Sequence, residues 1–211
     1  MKGAHVVWVG PFGSAVVRHL SDFLPDLRVA SGEAAPAPGV GDSQEFRCQL
    51  LAAWRPVPSL CDDLDRRCRE RGIPFMPLIV DGADLRLGPV MLPEGGACWQ
   101  CWELRSRQHA ASARERSALL RHYTAHSEAG PRGYLEPFAL MGASRLVAAM
   151  RGCEERSIEA GWIWQLNVFT GDVQTGRLIG LDSCRQCGLE RPAESRTYAE
   201  LRERLGHLWA E

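Results

Sequence analysis

Two pairs of cysteines have a spacing from which chemistry can be argued. Cys98 and Cys101 lie in GGACWQCWELRSR, residues 95–107, and Cys184 and Cys187 lie in CRQCG, residues 184–188. A single C-x-x-C at a helix N-terminus, close to the first strand of its fold, would read as a thioredoxin-type redox pair. Here there are two, and neither follows the first strand. Each has glycine beside it, Gly95 and Gly96 in one case and Gly188 in the other, which permits a tight backbone knuckle. Two knuckles meeting from distant parts of the chain would place four thiolates around a tetrahedral Zn²⁺, with Zn–S bonds of about 2.3 Å. Four sulfurs leave no open coordination position, so the expected role is structural rather than catalytic.

The other reactive side chains offer no comparable grouping. Cys48, Cys61, Cys68 and Cys153 read as small buried hydrophobes, with Cys61 and Cys68 on one helix face. The six histidines are scattered, and His122 with His126 is an i, i+4 pair without the HExxH context of a metalloprotease. Lys2 is the only lysine, which leaves no internal lysine for a Schiff base or a phosphate contact. The formal net charge is −1, so composition gives no reason to expect nucleic acid or an anionic membrane as partner. No apolar run approaches the roughly 18 residues of a transmembrane helix. The N-terminus reads as a first strand and not as a signal peptide. A cytoplasmic location is therefore expected, where structural disulfides are rare.

The elements that must position the cysteines follow from apolar patterning. HVVWVG (5–10) reads as a buried strand, PFG as a turn, and 14–24 as a helix with Ser14 as N-cap. DLRVA (26–30) is a candidate second strand, and 31–44 is loop by composition. CQLLAAW (48–54) is a core strand, and 58–72 a helix closed by Gly72. IPFMPLIV (73–80) is a further strand, which Pro74 and Pro77 assign to an edge or a strand start. Asp81-Gly82 signals a hairpin, with the chain returning over 85–92. This order is that of a parallel βαβ sheet with right-handed crossovers. Residues 102–126 and 136–153 read as helices, 161–181 as an antiparallel hairpin turning at Gly171-Asp172, and 195–209 as a C-terminal helix capped by Ser195 or Thr197.

The segment LGPVMLPEGGACWQCWELR, residues 87–105, resembles the approach to the first zinc knuckle in the ubiquitin-activating-enzyme-like (ThiF/MoeB) superfamily. Gly88, Pro89, Pro93, Gly95, Cys98, Cys101 and Arg105 carry the resemblance, together with Gly72-Ile73-Pro74 and the distal CRQCG. The order of elements agrees from about residue 3 to 190. The most similar branch is the ThiF-like one that partners YcaO cyclodehydratases in the biosynthesis of thiazole/oxazole-modified ribosomal peptides. The resemblance implies an α/β fold: a Rossmann-like, mostly parallel sheet with flanking helices, an antiparallel hairpin and a zinc held by Cys98, Cys101, Cys184 and Cys187. As one ThiF-like domain over 1–211, it would comprise a Rossmann-like part (3–95), a zinc-stapled helical and hairpin part (96–190) and the C-terminal helix. Typical members of the branch begin with a winged-helix peptide-binding domain. This chain starts at the Rossmann strand, so that domain is expected to be absent.

Active members of the superfamily bind ATP and adenylate a C-terminal carboxylate. In VGPFGSAV only Gly10 and Gly13 remain, as a G-x-x-G. Pro11-Phe12 fills the middle of the loop, and Ala15-Val16 replaces the last glycine of G-x-G-x-x-G. Glu33 is the sole acidic candidate for a ribose contact. Nucleotide binding is therefore expected to be lost, with no catalytic residue and no ATP. The resemblance implies an accessory protein that binds the precursor peptide, the YcaO-type cyclodehydratase, or both, and that could be a homodimer. An adenylating enzyme of the ThiF/MoeB type and a zinc-ribbon nucleic-acid-binding protein are the alternatives. The seven tryptophans, among them Trp99 and Trp102 beside Cys101 and Trp162 and Trp164 on one strand face, serve either the core or an interface.

Overall fold

A computed structural model of the chain describes residues 3–32, 46–109, 112–131 and 133–188. Glu33 and the helix expected over 195–209 lie outside these residues. The apolar runs of the first half form β1 (Ala4–Val9), α1 (Gly10–Phe23), β2 (Arg28–Ser31), β3 (Cys48–Ala53), α2 (Pro58–Arg71), β4 (Phe75–Asp81) and β5 (Asp84–Leu87). The second half supplies α3 (Trp99–His109), α4 (Ala113–Ala125), α5 (Glu136–Glu154), β6 (Trp162–Asn167) and β7 (Val173–Arg177). All seven strands join one sheet in the order β2-β1-β3-β4-β5-β6-β7. The pairings among β2, β1, β3 and β4 are parallel, and those through β5, β6 and β7 are antiparallel. Two successive antiparallel steps return β6 to the direction of β4, so five strands share one direction. The expected α/β class holds. No described helix is long and apolar enough to cross a membrane.

Strand alternation divides the core between two faces. Ala4 and Val6 of β1 join Leu50 and Ala52 of β3 under α1 and α5. Val7 and Val9 join Leu51 and Ala53 under α2, with Trp99 from α3 in the same cluster. Such alternation is the period-two consequence of the pleat, and here both faces are apolar because both are covered. The chain moves outward from β1 to β2 and, in the other direction, from β3 to β4. Right-handed crossovers then place α1 and α2 on opposite faces, and the reversal of winding falls between β1 and β3.

Three expectations are corrected. PFG is not a turn, and Ser14 is not the cap: α1 begins at Gly10, directly after Val9, with no side-chain cap. Pro11 suits the first turn of a helix, where its missing N–H has no intrahelical partner to lose. Pro77 does not mark an edge, since β4 lies between β3 and β5. The antiparallel ladder begins one residue later, at Leu78 opposite Leu87. Pro77 stays in register with Leu51 of β3, and its carbonyl accepts the Gly88 N–H at 2.8 Å just past the end of β5, so its missing N–H falls on the side where the ladder has stopped. The region expected as one helix over 102–126 contains two, α3 and α4.

Gly72 closes α2 as expected, in the left-handed conformation at φ 65°. Gly82 at φ 66° turns the β4–β5 hairpin. Gly13 has a different constraint. A Cβ there would collide with the backbone carbonyl oxygen of Ala52, because α1 lies directly on β3. Gly13→Ala should therefore force α1 off the sheet and cost roughly 1–3 kcal/mol, read as a lower urea midpoint at unchanged slope.

Candidate metal centre

The first knuckle depends on backbone that only glycine adopts readily. Gly95 and Gly96 have φ of 127° and 92°, and a Cβ on Gly96 would meet the Ala160 side chain at 2.6 Å. The chain then enters α3, so Cys98 precedes the helix and Cys101 lies in its first turn. The second knuckle follows β7 through a loop. The Gly188 N–H returns to the Cys184 carbonyl at 2.8 Å. A side chain on Gly188 would strike the Asp182 and Cys184 carbonyl oxygens.

All four cysteines singled out by spacing come together, buried, with their sulfurs within 4.8 Å of one another. Cys98 and Cys184 sulfurs are 3.4 Å apart, Cys101 and Cys187 3.5 Å, and Cys98 and Cys101 3.8 Å. These separations are far beyond the roughly 2.05 Å of a disulfide. A tetrahedral ion with metal–sulfur bonds of about 2.3 Å needs sulfur–sulfur edges of about 3.8 Å. The donor set therefore fits one metal ion, and its softness favours zinc or iron over magnesium or calcium.

Electrostatics favours the same conclusion. Hydrogen bonds from the Cys187 and Cys98 thiols push the Cys101 thiol well below its ordinary range, with the Leu181 N–H donating to its sulfur at 3.3 Å. The same hydrogen bonding pushes Cys98 up. Four thiolates in one buried cluster would repel strongly, and a divalent cation removes that conflict. Three of the remaining cysteines behave as the expected core residues, whereas Cys153, at the end of α5, is only half-buried. Cys48, Cys61 and Cys68 are buried, and burial raises each thiol, Cys48 to about 12.

Sequence reasoning missed the residues that hold the knuckle. Asp65 on α2 is fully buried, and its Oδ2 accepts the Trp99 N–H at 2.8 Å. It thereby caps α3 from another element, since the first N–H groups of a helix have no partner of their own. Arg69, one turn along, faces the Asp65 Oδ1 at 3.3 Å and donates to the Ala97 carbonyl at 3.3 Å. Burial pushes the Asp65 carboxyl up, while Arg69 and the Trp99 N–H oppose that shift. On the other side Arg105, which the resemblance singles out, donates its Nε to the Ile179 carbonyl at 3.0 Å, tying α3 to the loop that leads from β7 into the second knuckle. The one available signal was spacing: Asp65 and Arg69 are an i, i+4 pair on a helix. Nothing in that spacing names α3 as their target.

Gly10 and Gly13 lie apart from the cysteines, at the junction of β1 and α1. The carboxyl ends of β1 and β3 at the winding reversal are where open α/β sheets bind ligands. Here that position holds the chain's own side chains. The Trp54 ring packs against Gly10, which has φ 72°, and a Cβ on Gly130 would fall 2.5 Å from the same ring. Phe12 is buried and meets Tyr134 edge-on at 6.1 Å. Arg55 is buried beneath the Tyr123 ring at 4.7 Å, and its Nη2 donates to the Ser127 carbonyl at 3.1 Å.

No family model matches the sequence, and no curated protein matches it. Solved structures do match the fold. A heterocyclase in complex with substrate and cofactor aligns at TM-score 0.61 and 18% identity, over 89% of this chain and 25% of that one. The heterocyclase TruD aligns at TM-score 0.58 and 17% identity, over 89% of this chain and 28% of that one. E. coli MccB aligns at TM-score 0.56 and 13% identity, over 90% of this chain and 67% of that one. At these identities the likeness is one of fold. The chain spans about a quarter of the length of the heterocyclases.

Removing the cap isolates its contribution. Asp65→Ala leaves the Trp99 N–H buried and unpaired, a loss of about 1–3 kcal/mol. Metal bound at the four cysteines should then pass to a competing chromogenic chelator roughly tenfold faster than from the unaltered chain, with Asp65→Asn in between.

Proposed function

We propose that this chain is a non-adenylating, ThiF-like accessory protein in the biosynthesis of ribosomally synthesised, post-translationally modified peptides. It would present a precursor peptide to a YcaO-type cyclodehydratase, scaffold that enzyme, or do both. The observation that carries this reading is a heterocyclase-like fold whose ligand crevice is closed by Trp54 between Gly10 and Gly130. A nucleotide phosphate approaching the β1–α1 junction needs exposed backbone N–H groups at a helix N-terminus. In this chain Pro11 offers no N–H, Phe12 is packed inward, and the indole covers Gly10. The likeness to a heterocyclase described with substrate and cofactor, and to MccB structures described with MccA, supports placing the chain in peptide modification.

Cys98, Cys101, Cys184 and Cys187 would hold structural Zn²⁺. When bound, the ion supplies a cross-link between α3 and the segment after β7, and no reaction step. Its ligands leave no position for water or substrate. The protein's part in the pathway would thus be binding and placement, with ATP chemistry left to the partner.

The test is reconstitution with a YcaO-type cyclodehydratase and a precursor peptide taken from the same gene neighbourhood, whose absence there would itself count against the reading. Co-elution with one or both, and faster azoline formation when the chain is added, are the expected results. Calorimetry with ATP and Mg²⁺ should register no binding. Pyrophosphate exchange that depends on a peptide C-terminus would overturn the reading in favour of an adenylating enzyme. Purified protein should contain one zinc per chain, measured by elemental mass spectrometry, and Cys101→Ser with Cys187→Ser should abolish it.

A further inference from the structure

On the face opposite α1 and α5, a groove of about 1010 Å³ lies between α2, α3 and α4. Its apolar lining includes Pro58, Trp99, Leu104 and Leu120, and Leu104 is 47% exposed. Three arginines line it as well. Arg107 approaches Glu103 at 3.7 Å. Arg121, from α4, and Arg185, from the second knuckle, are exposed and pair with no carboxylate among the described residues. The N-terminal residues of α2, Pro58 and Ser59, open onto the same space. That helix end has no side-chain cap and no acidic residue in its first turn, so its positive pole is uncompensated there. Asp62, the one acidic lining residue without an arginine partner, opposes two unpaired cations and a helix pole.

From this charge balance we propose that the groove binds an acidic, amphipathic peptide segment supplied by another chain. Its carboxylates would meet Arg121, Arg185 and the α2 N-terminus, and its apolar side chains would lie on Leu104 and Leu120. Arginines without a carboxylate partner among the described residues offer planar, bidentate recognition of carboxylates, while exposed Leu104, with buried Leu120 behind it, takes apolar side chains without regard to charge. The inference rests on the proposed peptide-handling function only for the identity of the chain that supplies the segment. The groove's lining does not include Trp54, Gly10 or Gly130, and the side chains the proposal relies on, Leu104, Arg121 and Arg185, are exposed.

The test uses a short fluorescein-labelled peptide of alternating glutamate and leucine, and its lysine–leucine counterpart, titrated with the full chain by fluorescence anisotropy. The glutamate peptide should bind, with affinity falling as salt rises, and the lysine peptide should not. Arg121→Glu combined with Arg185→Glu should weaken the glutamate peptide at least roughly tenfold and create binding of the lysine peptide, a gain that misfolding cannot produce. Leu104→Gln, which removes the apolar contact without adding charge, should weaken both the original and the swapped interaction. Equal affinity of the double variant and the unaltered chain for the glutamate peptide would overturn the proposal. So would failure of the unaltered chain to bind that peptide. A single-stranded oligonucleotide that displaces the peptide at lower concentration than unlabelled peptide does would also overturn it, by assigning the cations to phosphate. Co-elution of the unaltered chain with the cyclodehydratase is scored separately. Its loss would sink the pathway reading and leave the groove, whereas loss of peptide binding alone would remove the groove and leave the pathway.

Discussion

Four sulfurs from two remote segments have to meet within 4.8 Å, and much of the second half of the chain is arranged by that requirement. The first pair comes from the start of α3, and the second from the loop after β7. Between them run two helices and a hairpin, and all must be in place before the sulfurs can converge. Each knuckle is tight enough that Gly96 and Gly188 have no room for a side chain. A metal held by the four cysteines would close a long loop of chain, and loops closed by a cross-link lose much of their unfolded-state freedom. Asp65 and Arg69 extend this constraint into the first half. They bind the backbone on both sides of Cys98, so α2 and the knuckle are fixed as one unit.

The sheet shows a comparable economy at its centre. The reversal of winding between β1 and β3 opens a crevice in any such fold. Here the crevice is a packing site. Trp54 fills it because two glycines far apart in the chain, Gly10 and Gly130, leave space for an indole. Phe12 and Arg55 complete the packing with aromatic contacts of their own. A position at which phosphate approaches backbone in related architectures has become part of the core. Cationic and apolar groups instead share a groove beside α2, α3 and α4.

Local patterns made much of the fold legible. β1, β3 and β4 stand out as short β-branched or apolar runs, and Gly72, Gly82 and Gly171 mark their turns because a left-handed backbone selects glycine strongly. The misreadings were also local in origin. Pro11 looked like a turn residue, but the same ring geometry begins a helix. Pro77 looked like an edge residue, yet β5 ends beside it, and a central strand tolerates proline where the neighbouring ladder stops on one side. Long-range relations left no such mark. Asp65 reads as one more charge on an amphipathic helix, and its burial beneath Trp99 depends on where α3 packs.

The cysteine spacing determined that two knuckles exist, because ligand pairs for one ion must lie within a few residues of each other. The order of short apolar runs and helical patterns likewise determined an α/β sheet, since strands separated by helices pair in parallel and bury both faces. Folding alone decided that the knuckles meet, that an aspartate from α2 caps the helix between them, and that Trp54 lies against both Gly10 and Gly130. Those are contacts between residues distant in the chain, and one-dimensional order does not encode which distant groups will share a volume. Their identities are written in the sequence, but their partners are selected by packing.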